Sequence, residues 1–373
     1  MAVSAHGDPQ PPDRLRLIGE EELIDLSIGC TVLAGGGGGD PRVGLMMGLH
    51  AIRQNGPVRL IELDDLNDDD LIVPGGMIGA PTVMVEKIPN GNESRLICEV
   101  LSKRLGSPIA ALMPLEMGGL NGVLPVAWSA TVGLPMIDGD LMGRAFPELQ
   151  MCTPHLYGIP AWPGVVVDER AQSLLLEPMD NVWFEKLARN AVSTLGGCAC
   201  AGIYPMTAKV ARVPLIAGTV SAAVRIGAVI RGASDDPFKA LDNEVELYPL
   251  VTGKVVDVER RTAGGFVRGS AVIEGIEHDR GRLVRIEFQN ENLVALEDGE
   301  ALATVPDIIT LLDRHTARGI VTEQIRYGQR VVIAAFKSPI QWRSPEGLAV
   351  VGPRAFGYDI DYVPVEERHA RVS

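Results

Sequence analysis

The densest concentration of reactive side chains in this chain is the run Asp138-Gly139-Asp140-Leu141-Met142-Gly143-Arg144-Ala145-Phe146-Pro147-Glu148, which holds three carboxylates and one arginine. Paired carboxylates supply a general base and a neighbour that tunes its proton affinity, and an arginine can clamp a substrate carboxylate through two parallel hydrogen bonds. Asp138 and Asp140 are spaced i and i+2, which in an extended segment points both side chains to one face. The pattern predicts Asp138 or Asp140 as the base, Glu148 as a further catalytic carboxylate, and Arg144 as the substrate-holding cation. A surface turn tied by an Arg–Asp pair would use the same residues.

Three glycine-rich segments could surround such a site. Five consecutive glycines, Gly35 to Gly39, precede Asp40-Pro41, a helix-start signal that leaves free amide N–H groups facing the loop. Gly36, Gly37, Gly38 and Asp40 are therefore expected to touch substrate, unless the glycines only ease a tight helix–helix connection. No Lys-Ser/Thr follows, so this is not a Walker loop, and the preceding segment reads as helix rather than the strand a Rossmann turn needs. The second segment, Pro74 to Pro81, places Gly79 and the nearby Lys87 after a candidate strand, where α/β proteins open their ligand crevices. The third joins Glu116 to Asn121 through Gly118-Gly119, a carboxyl and an amide able to bind a ring N–H and C=O together, with Glu116 also a candidate catalytic carboxylate and Asn121 a substrate-binding residue.

Metal chemistry would need His155 to converge with Cys198 and Cys200, and zinc is the ion such a set would hold. Cys198-Ala199-Cys200 is too closely spaced for a zinc knuckle and reads as a strand with both sulfurs on one face. No HxH or HExxH pair is present.

The elements that would carry these residues alternate. Helices are predicted over about 20–33, from Asp40-Pro41 to Asn55-Gly56, and over 93–105 and 121–132; strands over 58–62, 71–73, 109–113 and 135–137, with two short ones in 164–177. This is an α/β layer structure, an N-terminal three-layer sandwich over 15–168. The remainder, 169–365, reads as a helical stretch about 179–241 followed by short β-branched segments to 336, a mainly β, barrel-like domain. With 373 residues, two domains are the natural expectation. Residues 1–15 read as a flexible arm.

Composition narrows the partners. A net charge of −14 and the lack of any basic cluster argue against nucleic acid. Met117–Ile137 is uncharged, but its glycines, prolines and Asn121 fit a buried turn–helix–turn rather than a membrane span. Five scattered cysteines point to reduced thiols and a cytoplasmic setting.

Taken together, Gly35–Asp40 with Pro41, Gly79-Ala80-Pro81-Thr82-Val83 with Glu86-Lys87, Glu116 with Gly118-Gly119-Asn121, and the Asp138–Glu148 block resemble the S-methyl thiohydantoin desulfurase family, associated with hydantoinases and oxoprolinases. The resemblance continues through Phe288, Asn290-Glu291, Pro306-Asp307, Arg326-Tyr327-Gly328 and Gly352–Asp359, and spans about 17–365. It implies an α/β sandwich followed by a mainly β domain, and hydrolysis of an S-methyl thiohydantoin to a hydantoin and methanethiol in ergothioneine- or methylhistidine-type degradation. The expectation is thus a hydrolase for a small heterocyclic substrate, working as a homo-oligomer beside hydantoinase/oxoprolinase enzymes. Its variant mechanism uses zinc-activated water at His155, Cys198 and Cys200. The rival expectation is a noncatalytic binding or accessory subunit of such a system.

Overall fold

The computed structural model describes residues 15–80, 83, 86–233, 235–263 and 266–372. Nearly all of the N-terminal arm, and Pro81-Thr82 of the second glycine motif, lie outside the described residues.

Helix α1 (Glu20–Leu33) begins with three glutamates at its positive end, and the Glu22 side chain accepts the Gly19 N–H at 2.9 Å. The glycine loop links it to α2 (Arg42–Asn55), which stops on Gly56 at φ 92°. Strand β1 (Leu17–Ile18) precedes α1, and the strands that follow α2 are β2 (Val58–Ile61), β3 (Leu71–Gly79), β4 (Ile109–Pro114) and β5 (Met136–Ile137), with α3 (Glu93–Leu105) and α4 (Gly119–Val132) between them. Strands β2, β5, β4 and β3 run parallel in that order. A short β6 (Gly139–Asp140) leaves the main sheet and pairs with β11 (Ile216–Ala217).

Strand β3 is longer than the apolar run predicts. Its glycines look like a turn in sequence, but Gly75 and Gly76 continue the strand. A Cβ on Gly75 would sit 2.5 Å from Trp128 and one on Gly76 3.0 Å from Asn121, so the absent side chains let α4 lie close against the strand.

The sheet does not end at residue 168. Strands β7 (Gly164–Val167), β8 (Ser173–Leu176) and β9 (Cys198–Gly202) complete it, with β9 seated between β3 and β7 and β10 (Met206–Thr207) also on β3. The expected boundary at 168/169 therefore falls inside one hydrogen-bonded sheet. Helices α5 (Thr153–Leu156), α6 (Asn181–Thr194), α7 (Ala208–Ala211), α8 (Thr219–Gly232) and α9 (Pro237–Val245) belong to the same body, where α1 packs on α8.

From Tyr248 the chain is antiparallel: β12 (Tyr248–Ala263), β13 (Phe266–Gly275), β14 (Leu283–Gln289), β15 (Glu291–Glu297), β16 (Glu300–Thr304), β17 (Ile308–Asp313), β18 (Gly319–Ile320) and β19 (Arg330–Phe336). Alternation along β17 sends Ile308 and Leu312 to the core shared with α1, while Ile309 and Leu311 share another core with Val255, Ile273 and Ile286. The sheet curls over that second core without becoming the expected barrel: its order runs from β16 at one edge to β18 at the other, and no closed barrel forms among the described residues. No helix among them is long and apolar enough to cross a membrane.

Candidate active site

Parallel strands present their carboxyl ends on one side of a sheet, and loops there converge on a crevice. Here that side holds Gly79 at the end of β3, Glu116 just after β4, and the segment after β5. A narrow cleft, with a cavity volume of about 50 Å³, is lined by Gly38, Gly79, Glu116, Asn121, Glu148, Arg189 and Glu291, among others. Four of its walls come from sequence expectations that lie far apart in the chain: the glycine loop, the β3 end, the β4 loop and the Asp138–Glu148 block.

Glu116 is 5% exposed. Its Oε1 accepts from Asn121 Nδ2 at 2.7 Å and its Oε2 from the Phe146 N–H at 3.2 Å. Burial pushes its proton affinity up to about 8; the two hydrogen bonds pull it down, Asp140 pushes it further up, and Arg144 opposes. Asn121 sits in the first turn of α4. Its Oδ1 accepts the Met77 N–H at 2.7 Å, and its Nδ2 donates to Met77 O at 2.9 Å as well as to Glu116. Both amide donors are thus engaged, which makes Asn121 the residue that pins Glu116 to β3 rather than one with a free hand for a ring. Glu148 is half-buried at the rim, held by the Gln150 side chain.

The wall opposite the parallel strands comes from the second sheet. Glu291, 2% exposed, follows Asn290, which adopts φ 57° between β14 and β15 and is locked by bonds to both backbone groups of Val267. Burial drives Glu291 well above the ordinary carboxylate range; Glu116 adds to the shift and Arg144 opposes it. The sequence named Asn290-Glu291 only as part of a resemblance. Its place in the cleft depends on a sheet more than 150 residues from Glu116, and no local spacing could reveal it.

The glycine loop connects the two walls. Gly35, Gly36, Gly38 and Gly39 all have positive φ. Gly35 O accepts from Asn292 N at 2.7 Å, Gly36 O from Thr322 N at 2.8 Å, and Gly38 O from Leu120 N at 2.9 Å. A Cβ on Gly37 would fall 2.1 Å from Glu291 Oε1. Gly38 lines the cleft, whereas Gly36 and Gly37 brace the second sheet against it. Asp40 is occupied by the Arg42 N–H and guanidinium and by Gln324 Nε2 at 2.8 Å, so it tethers the loop rather than facing the cleft.

Several expected residues stand elsewhere. Asp138 and Asp140 do not share a face, because Asp138 falls in the break between β5 and β6 and the strand alternation does not carry across it. Asp138 instead accepts the Ser221 N–H at 3.0 Å and the Ser221 hydroxyl at 2.5 Å, capping α8 beside a separate cavity. Asp140 is fully buried, takes the N–H groups of Met142 and Gly143, and is raised to about 7 by burial and not by its neighbour. Arg144 is also fully buried. Its guanidinium donates to Ala145 O, Pro306 O and Asp307 O, and burial draws its pKa down to about 10 while Glu291, Asp307 and Glu116 pull it back. It is a fixed positive charge behind the cleft, not a clamp within it.

Lys87 donates to Leu195 O and Cys198 O and pairs with Glu169 at 2.8 Å, on the far side of β9. Cys198 and Cys200 do share a strand face, but it turns toward the core holding Val165 and Val167, whereas the neighbours of His155, Cys152 and Leu156, pack in the core on the other side. His155 meets Asn181. The sheet separates His155 from the two cysteines, and among the described residues no group of three or more His, Cys, Asp or Glu is placed to hold a metal ion.

Two family models tile this chain: the S-Me-THD-like N-terminal domain matches residues 21–178 and the S-Me-THD-like C-terminal domain residues 179–365. The chain belongs to the S-Me-THD-like family. That family's two domains meet inside the first sheet, since β9 comes from the C-terminal model and its partners β3 and β7 from the N-terminal one. No curated protein matches the chain. Among solved structures, a crystal structure of a protein from Chromobacterium violaceum is similar over 94% of this chain and 99% of its own, with 20% identity and a TM-score of 0.78, which shows a shared fold.

Proposed function

We propose that the protein is a hydrolase acting on a hydantoin-like ring, converting an S-methyl thiohydantoin to a hydantoin and methanethiol with Glu116 as the base. The observation that carries the reading is Glu116 itself: a carboxyl in the wall of a cleft, pinned by Asn121 and the Phe146 N–H, whose proton affinity is lifted to about 8 chiefly by burial. A base poised near neutral pH transfers protons in both directions within one turnover. The family membership supports the ring chemistry.

In this reading the Glu116 carboxylate takes a proton from water as its oxygen adds to the ring carbon bearing the S-methyl group. The C=N electrons move onto the ring nitrogen. The intermediate then collapses. The C–S bond breaks, the new hydroxyl becomes the carbonyl and its proton passes to the ring nitrogen, and methanethiolate leaves with the proton held by Glu116. Arg144, behind both Glu116 and Glu291, keeps two nearby carboxyls from expelling each other's charge.

The test is methanethiol release from an S-methyl thiohydantoin by the purified chain alone. Turnover that disappears in Glu116→Gln supports the assignment. Absence of turnover without a partner protein sinks it in favour of an accessory binding role.

A further inference from the structure

We propose that Glu291 is the acid partner of Glu116 and gives a proton to the substrate's ring nitrogen from the opposite wall of the cleft, an inference that rests on the hydrolase reading above. Both carboxyls line the same narrow cavity. Glu116 follows β4 in the first sheet, and Glu291 is the first residue of β15 in the second. A molecule in the cleft is thus flanked by one carboxyl from each sheet.

The two carboxyls are not held alike. Asn121 Nδ2 and the Phe146 N–H donate to Glu116, which favours its charged form, so of the two Glu116 is the one that ionises. Glu291 has no such donors. Its Oε2 is enclosed without a hydrogen-bond partner among the described residues, and Arg144, the cation that acts on it, spends its Nε and Nη1 on the carbonyls of Ala145, Pro306 and Asp307. An unpaired buried carboxylate costs far more than the neutral acid, so Glu291 rests protonated, in line with the upward drive of burial on its pKa. A protonated carboxyl is a donor. The loop makes room for this one: a Cβ at Gly37 would strike Glu291 Oε1.

The protons then balance over one turnover. As the Glu116 carboxylate takes the proton of the attacking water, the C=N electron pair takes the proton of Glu291 and the ring N–H forms. Glu116 is now the acid and Glu291 the carboxylate. On collapse the C–S bond breaks and methanethiolate takes the Glu116 proton, while the new hydroxyl gives its proton to Glu291 and becomes the carbonyl. The hydroxyl proton thus replaces, by way of Glu291, the one given to the ring. The pair carries a single negative charge throughout, which the buried Arg144 guanidinium balances. The other ionisable groups around Glu291 are Glu323, in the turn after β18, with Asp40 acting on it, and Glu148 and Arg189 along the same cleft.

Methanethiol release is followed against pH for two probes: an S-methyl thiohydantoin with a neutral, unsubstituted ring, and the same ring methylated on both nitrogens, a cation that needs no proton. In the wild type, turnover of the neutral ring should rise as Glu116 ionises and fall again at higher pH as Glu291 loses its proton. Turnover of the cation should rise and stay level. Glu291→Gln keeps the shape and neutrality of the acid, and hydantoin binding by calorimetry checks that its cleft is intact. It is expected to lose about 10²- to 10⁴-fold in kcat on the neutral ring, roughly tenfold or less on the cation, and the high-pH fall altogether. Equal loss on both rings, no loss on either, or a wild-type neutral-ring profile without the high-pH fall overturns the role of Glu291 and leaves Glu116 as the base. A wild type that releases methanethiol from neither ring removes the hydrolase reading itself, and the inference with it.

Discussion

Glu116 and Asp138 hold equivalent places in the first sheet. Each follows the carboxyl end of a parallel strand, β4 or β5, where α/β folds open their crevices. What crosses in front of them differs. The Gly38 loop and the second sheet close over Glu116, removing water and raising its proton affinity to about 8. In front of Asp138 stands the first turn of α8, whose Ser221 N–H and hydroxyl saturate the carboxylate. Position at a strand end makes a carboxylate available; the element facing it decides whether it works on protons or on a helix terminus.

Exchanging the two side chains' chemistry should separate these roles. Glu116→Gln is expected to lower turnover by about 10²-fold or more while leaving the melting temperature near that of the wild type. Asp138→Asn should do the reverse. Loss of the charged cap costs about 1–2 kcal/mol of stability, read by chemical denaturation, with kcat nearly unchanged. Comparable losses of turnover in both variants would erase the distinction.

A second break comes from Asn121→Ala, which unpins Glu116 and strands the N–H and C=O of Met77. Stability should fall by about 1–3 kcal/mol for the buried groups left unpaired, and kcat should fall more than KM rises. Gly37→Ala pushes on Glu291 from the loop side, so turnover should drop by roughly 10-fold with a smaller stability change.

The pH dependence sharpens the contrast most gently. Glu116 rises from 4.5 to about 8 and Asp140 from 3.8 to about 7, so between those limits the folded chain keeps protons that the unfolded chain has lost. Stability therefore declines as pH climbs through that window and levels off above about 8. Activity runs the other way, rising toward a plateau as Glu116 ionises. Glu116→Gln should remove the upper part of the stability decline; an unchanged profile would show that another group causes it.

How far the chain's letters reveal this arrangement depends on distance along it. The helix over 20–33 and the strands near 58, 109 and 135 are legible because apolar spacing is local. Glu116 and Asn121 are legible as a pair for the same reason. The path of β3 through Gly75 and Gly76 is hidden, since glycine marks both a turn and a close helix approach, and only Trp128 decides which. Arg144 reads as a substrate clamp because nothing nearby announces that Pro306 and Asp307 will bury it. Cys198 and Cys200 show their shared face in sequence but not which side of the sheet it takes.

The carbonyl groups of Gly35, Gly36 and Gly38 bear on how the molecule is made. Their partners are Asn292, Thr322 and Leu120, so these bonds close loops spanning up to nearly three hundred residues. Such closures come late in folding, after both sheets exist, because the entropy of joining distant segments must first be offset by local structure. On a ribosome, the cleft stays open until about residue 322 has emerged. In the finished protein, the amide hydrogens of Asn292 and Thr322 should exchange with solvent only when the two sheets part, which makes them direct reporters of that opening.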